Sequence, residues 1–148
     1  MVNTIISNEK TTTRLRVLQW KILHNVYPTN ILPCKMKVRD DQMCSYCNDV
    51  VDYIEQFFFD SPTIKGFWSY IEQYILMSFD IQSHLTVVGV LFGIKQHNCG
   101  KVKTKRTNHV IIMAKVCISM YKKLTPSFHC PWYLKISSRS EMFNWEKL

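Results

Sequence analysis

Ser61-Pro62 opens the stretch that most constrains this chain. After it, Ile64, Phe67, Trp68, Ile71, Tyr74 and Ile75 recur at helical spacing, with Lys65, Ser69, Glu72 and Gln73 on the other side. That pattern puts the apolar side chains on one face of an α-helix. Ser61 suits the cap and Pro62 the first helical position. A face this apolar must be covered by other elements, and the rest of the chain offers mainly helices. Four glycines and five prolines in 148 residues leave few turns for a many-stranded fold.

Leu15, Leu18, Ile22, Leu23 and Val26 predict a helix from Thr12 to Tyr27. Pro28 ends it by pushing Tyr27 out of the helical region. Thr29 or Asn30 can cap a short turn around Ile31 and Leu32. Residues 37–51 read as loop, and Asp52 with Glu55 resembles a capping box before a short helix from Tyr53 to Phe59. Residues 83–94 fit a buried helix or a strand, and helical surroundings favour the helix. An exposed basic loop is expected at 95–107. Asn108 to Lys122 then predicts a mostly buried helix with a polar stripe of Lys115, Ser119 and Lys122. Pro126 and Pro131 break the chain, and 132–146 predicts a last, weaker helix. The sum is a flexible tail at 1–10 and one all-α domain over 11–148, with four to six helices around an aromatic-rich core. Trp20, Phe57, Phe58, Phe59, Phe67, Trp68, Tyr70 and Tyr74 are assigned to that core, and Tyr46 is the aromatic ring expected to be exposed.

The start of the chain has no apolar run before its charges, and 85–94 is too short to span a bilayer. An intracellular chain, nuclear or cytoplasmic rather than secreted and with no membrane contact, is therefore expected. Its six cysteines would be reduced or metal-bound. The net charge of +8 is segregated. Residues 10–39 carry bases and no acid, 40–60 acids and no base, and 81–140 bases and no acid. A basic surface with one acidic island suggests a polyanion partner. Lys95, Lys101, Lys103, Lys105 and Arg106 are the leading candidates for sequence-nonspecific contact with an RNA or DNA backbone. Arg14, Arg16, Lys35, Lys37 and Arg39 would extend that patch. No paired acids suggest two-metal chemistry and no local signature joins a cysteine to a histidine. Neither catalysis nor a small-molecule substrate is expected.

Cys44-Ser-Tyr-Cys47 has the spacing of the opening half of a zinc site. Around it, Leu23-His24, Pro28-Thr29-Asn30, Arg39-Asp40, Cys44, Cys47, Ile54-Glu55, Phe57-Phe58, Pro62 and Trp68 follow in order, and NHVIIMAKVCISMYK lies downstream. In these features the chain resembles the zinc-binding region near the C-terminus of non-LTR (LINE-type) retrotransposon reverse transcriptases. The likeness runs over most of residues 15–123. It implies a helical module beyond a polymerase that helps hold template RNA or target DNA, with a knuckle-like loop at 38–51. It also implies two further zinc ligands, a histidine and a cysteine, at positions that here hold Gln56 and Ser61. An amide and a hydroxyl are poor zinc ligands. Cys44 and Cys47 are thus the residual metal position, with Asp60, Cys34 or His24 as the available substitutes, and no cofactor is expected. A non-catalytic nucleic-acid-binding accessory module follows from the resemblance. A degenerate transposon remnant and a co-opted protein-interaction domain are the alternatives.

Overall fold

The structure, a computed structural model, describes residues 13–82, 84–95 and 100–121. The tail expected at 1–10, Lys122 of the polar stripe, Pro126, Pro131 and the helix expected at 132–146 lie outside the described residues. Among the described residues the fold is α-helical. Its helices are α1 (Thr13–Leu23), α2 (Ile31–Lys35), α3 (Pro62–Phe79), α4 (Val87–Phe92) and α5 (Lys101–Tyr121), with a π-helical turn at Gln56–Asp60. No β-strand forms among these residues; one isolated antiparallel bridge joins Met43 and Val51.

α3 follows its sequence pattern. Ile64, Phe67, Trp68, Ile71 and Ile75 are buried, while Lys65, Ser69 and Gln73 are exposed. This stripe packs on α5 and on the π turn. The short helix expected from Tyr53 to Phe59 is instead one helical step followed by the wider π turn. The turn buries Phe57 and Phe58 completely, which stabilises the fold by about 2–3 kcal/mol per ring. Their rings meet edge-on at 4.8 Å, and Tyr27 packs on both. The indole N–H of Trp68 donates to the Phe58 carbonyl at 2.7 Å, satisfying a backbone group inside the turn.

α1 stops at Leu23, before the expected Tyr27. Asn25 adopts a left-handed φ of 54°. Its N–H reaches the Ile22 carbonyl at 3.1 Å, and the Val26 N–H reaches Lys21 at 2.9 Å. This is a Schellman closure, and asparagine tolerates the left-handed position better than most residues. Val26 is therefore exposed outside the helix rather than on its core face. α4 settles the helix-or-strand question at 83–94 in favour of helix: Thr86 caps it by accepting the Gly89 N–H at 3.1 Å.

α5 departs most from expectation. It begins at Lys101, so 101–107 are helical turns rather than loop. Asn108, expected to start the helix, lies inside it and clamps the preceding segment. Its side chain accepts the Ile94 N–H at 2.8 Å and donates to the Ile94 carbonyl at 3.0 Å. Lys115, expected on a polar stripe, is completely buried. Its ammonium donates to Gln19 Oε1 and, at 3.3 Å, to the Leu91 carbonyl, while Gln19 Nε2 donates to the same carbonyl at 2.8 Å. This neutral cradle ties together α1, α4 and α5. Burial lowers the ammonium pKa to about 7.

Two aromatic assignments reverse. Trp20 is 51% exposed and Tyr70 is 42% exposed, so neither belongs to the core. Tyr46 is half-buried rather than exposed. Its hydroxyl donates to the Ile118 carbonyl of α5 at 2.6 Å, and its ring packs on Phe57 at 5.3 Å.

Candidate functional site

The cysteine pair sits in a tight reversal. The Cys44 N–H donates to the Val50 carbonyl at 2.7 Å, the Asn48 N–H to the Cys44 carbonyl at 2.9 Å, and the Asp52 N–H to Gln42 at 2.9 Å. Asn48 closes the reversal in a left-handed conformation with φ 57°. Asn30 holds it from outside. Expected as a cap, Asn30 makes no capping hydrogen bond with its side chain. Instead its amide donates to the Met43 carbonyl at 2.6 Å and to Ser45 Oγ at 2.9 Å, and accepts from Arg39 Nη1 at 3.0 Å. Its backbone N–H donates to the buried carboxylate of Asp52 at 2.8 Å. Asp52 thus anchors α2 to the reversal. Neither the Asn30 hub nor the Gln19–Lys115 cradle was found from sequence. Gln19 did leave a signal: it lies between Leu15 and Ile22 on the apolar face of α1, where a polar group needs a buried partner.

Three of the four positions that the resemblance marks as ligands come together. Cys44 is buried and Cys47 half-buried in the same reversal, and Gln56 Nε2 donates to Cys47 Sγ at 3.4 Å. Burial pushes the Cys44 thiol above its ordinary pKa, against the backbone N–H groups of Tyr46 and Cys47. Burial also opposes ionisation of Cys47. There, donation from the Asp49 N–H, the Cys44 thiol, Gln56 and the Val50 N–H outweighs it and draws the thiol below its ordinary value. Ser61 stands at the N-cap of α3 with Pro62 at the first position, but its hydroxyl caps nothing; it is buried without a hydrogen-bond partner.

The substitute ligands do not join the thiols. Asp60 pairs with Lys65 at 3.7 Å on the surface. Cys34 Sγ faces the Asp40 carbonyl at 3.9 Å, and the His24 ring lies on Trp20 with centroids 4.6 Å apart. Among the described residues no three His, Cys, Asp or Glu side chains gather as a metal-binding group. The donor set present is two thiols, an amide nitrogen aimed at one of them, and a buried hydroxyl. It does not fit a closed tetrahedral zinc site.

The candidate phosphate contacts fall into separate groups. Lys101, Lys103, Lys105 and Arg106 are exposed on the first turns of α5, and Lys95 is exposed at the end of the preceding segment. Arg14 and Arg16 are exposed on α1, and Lys35, Lys37 and Arg39 on α2 and the segment after it. Arg14 and Lys21 line a groove of about 410 Å³ with Val17, Tyr27, Val116 and Met120. That groove runs along the far end of α5, roughly 20 Å from Lys103 on a 1.5 Å rise per residue. No helix among the described residues is long and apolar enough to cross a membrane.

Residues 1–68 match the family described as zinc-binding in reverse transcriptase. The match supports that general class for the first part of the chain, and it ends at Trp68, within α3. No curated protein and no solved structure matches the chain.

Proposed function

We propose that this chain is a non-catalytic nucleic-acid-contact module, derived from the zinc-binding region of a non-LTR retrotransposon reverse transcriptase, that no longer depends on zinc. One observation carries the proposal. The first turns of α5 bear Lys101, Lys103, Lys105 and Arg106, all exposed, and the first turn contains no acid. A helix N-terminus is the positive end of the macrodipole, where each cation costs roughly 0.3–1 kcal/mol. Phosphates docked there relieve that repulsion. The match over residues 1–68 supports the same class of partner. Trp20, exposed on α1 with the His24 ring against it, supplies a ring for base stacking.

The test is binding of single-stranded RNA and DNA as a function of salt. The combined change Lys103→Ala, Lys105→Ala and Arg106→Ala is expected to reduce the slope of log affinity against log salt by roughly 2. It is also expected to raise folding stability at low salt by about 1 kcal/mol. Lower affinity together with higher stability marks a surface kept for a ligand. Unchanged affinity would reject the proposal and leave these lysines as solvated charge. Trp20→Ala is expected to weaken single-strand binding by about 1–3 kcal/mol and to leave stability within about 0.5 kcal/mol.

A further inference from the structure

Arg14, Val17, Leu18 and Lys21 stand at i, i+3, i+4 and i+7 along α1, so they share one face of that helix. That face forms one wall of the groove of about 410 Å³, and Val116 and Met120 of α5 form the other. Val17 is 45% exposed and Met120 is 41% exposed, although both are apolar. The two cations stand at the ends of the α1 stripe, and among the described residues lining the groove none is acidic. We propose that this groove is a docking site for an amphipathic helix of a partner protein, one that carries two carboxylates seven residues apart with apolar side chains between them. The inference goes beyond nucleic-acid contact by α5 and does not rest on it.

The spacing selects a helix. Arg14 and Lys21 are two turns apart, about 10 Å along the axis of α1. A partner helix laid nearly parallel or antiparallel to α1 repeats that distance between its residues i and i+7. Carboxylates at those positions meet the guanidinium and the ammonium. Apolar residues at i+3 and i+4 then lie over Val17, Leu18 and Met120. The charge pairs fix the register, and the apolar contacts supply the buried area.

A nucleic-acid strand fits the same groove less well. Base stacking needs an open ring face. Tyr27, the ring in the groove, is packed on Phe57 at 5.3 Å and on Phe58 at 4.8 Å. Trp20, the exposed ring of α1, lies outside the groove. The Ser119 hydroxyl donates to the Val116 carbonyl at 2.8 Å, so its proton is not available to a base edge. Two cations with apolar side chains between them match a peptide with two acids better than a strand that carries a phosphate at every step.

The experiment measures, by fluorescence anisotropy on the full chain, binding of a labelled Ala-rich helical peptide of about 20 residues. The peptide carries two glutamates seven residues apart, with leucines three and four residues after the first. A control peptide has the same composition with its glutamates adjacent. The first peptide is expected to bind roughly tenfold more tightly, from two rim charge pairs at about threefold each. Arg14→Ala and Lys21→Ala should each weaken it about threefold, and Val17→Gln combined with Met120→Gln roughly tenfold. Lys103→Ala with Lys105→Ala and Arg106→Ala should leave it unchanged. Arg14 is exposed, so Arg14→Ala keeps the test open should the double glutamine variant unfold in urea controls. Equal binding of the two peptides, or loss of binding in the α5 variant alone, would overturn the proposal. So would single-stranded RNA that displaces the peptide and itself loses affinity in the double glutamine variant, because the groove would then belong to nucleic acid. A photoreactive Val17→benzoylphenylalanine chain should cross-link to the leucines of the peptide. In the absence of peptide, a cross-link to a second copy or to residues 122–148 of the same chain would give the groove to that occupant and overturn the proposal.

Discussion

Lys115→Met is expected to stabilise the fold by about 2–4 kcal/mol at pH 6 and to change it little, or slightly destabilise it, at pH 10. Lys115 is completely buried, and its described partners, Gln19 Oε1 and the Leu91 carbonyl, are both neutral. Desolvation lowers its folded pKa from 10.5 to about 7. Between those values the unfolded chain binds the extra proton, so stability rises with pH through this window. The penalty is fully present below about pH 7 and is gone above about pH 10.5, where neither state is charged. A shift of that size corresponds to about 5 kcal/mol. Methionine has a similar volume and carries no charge, so it removes most of the penalty. It leaves Gln19 Oε1 without a donor, which returns about 1–3 kcal/mol. Urea denaturation across this pH range should therefore show a steep rise for the parent and a nearly flat line for Lys115→Met, the two crossing near the upper end. Parallel curves would mean that the lysine reaches water. Gln19→Leu is expected to act in the opposite direction. It leaves the ammonium with the Leu91 carbonyl alone and costs about 3 kcal/mol near neutral pH.

Lys115 also shows where periodicity stops being informative. Its spacing with Ser119 places both on one face of α5, and a face with a lysine and a serine reads as solvated. That face is in fact covered by α1 and α4, and only the pairing of Lys115 with Gln19 makes it coverable. The partner lies 96 residues away in sequence, and local pattern carries nothing about such a contact. α3 was legible because its apolar stripe is unbroken and a single long helix follows from it. The ends of α1 and α5 were less so. At α1, Asn25 supplied a left-handed closure before Pro28 could act. At α5, a run of lysines that reads as loop keeps high helix propensity and simply extends the helix backwards. Within the candidate site, the positions of Cys44, Cys47, Gln56 and Ser61 could be read from their order along the chain. That the Gln56 amide faces a sulfur and that Ser61 is buried without a partner could not, because both depend on the π turn that sets the register of residues 56–60.

If packing and hydrogen bonds rather than a metal hold the reversal at 43–51, then Asn30→Ala should cost about 2–4 kcal/mol, equally with and without chelator. Asn30 is 1% exposed, and its side chain makes three hydrogen bonds to three different parts of the segment. Each is worth about 1 kcal/mol, with more lost where the carbonyl left behind stays buried. Alanine keeps the backbone N–H that bonds to Asp52, so α2 remains docked while the loop loses its brace. The damage should accordingly be local first. The amides of Cys44, Asn48 and Asp52, which donate across the reversal, should exchange hydrogen far faster in Asn30→Ala than those of α3 and α5. A zinc-held loop would behave in the opposite way. Chelator would expose those three amides in the parent chain, and Asn30→Ala would change little while metal was present, because four metal bonds outweigh three hydrogen bonds.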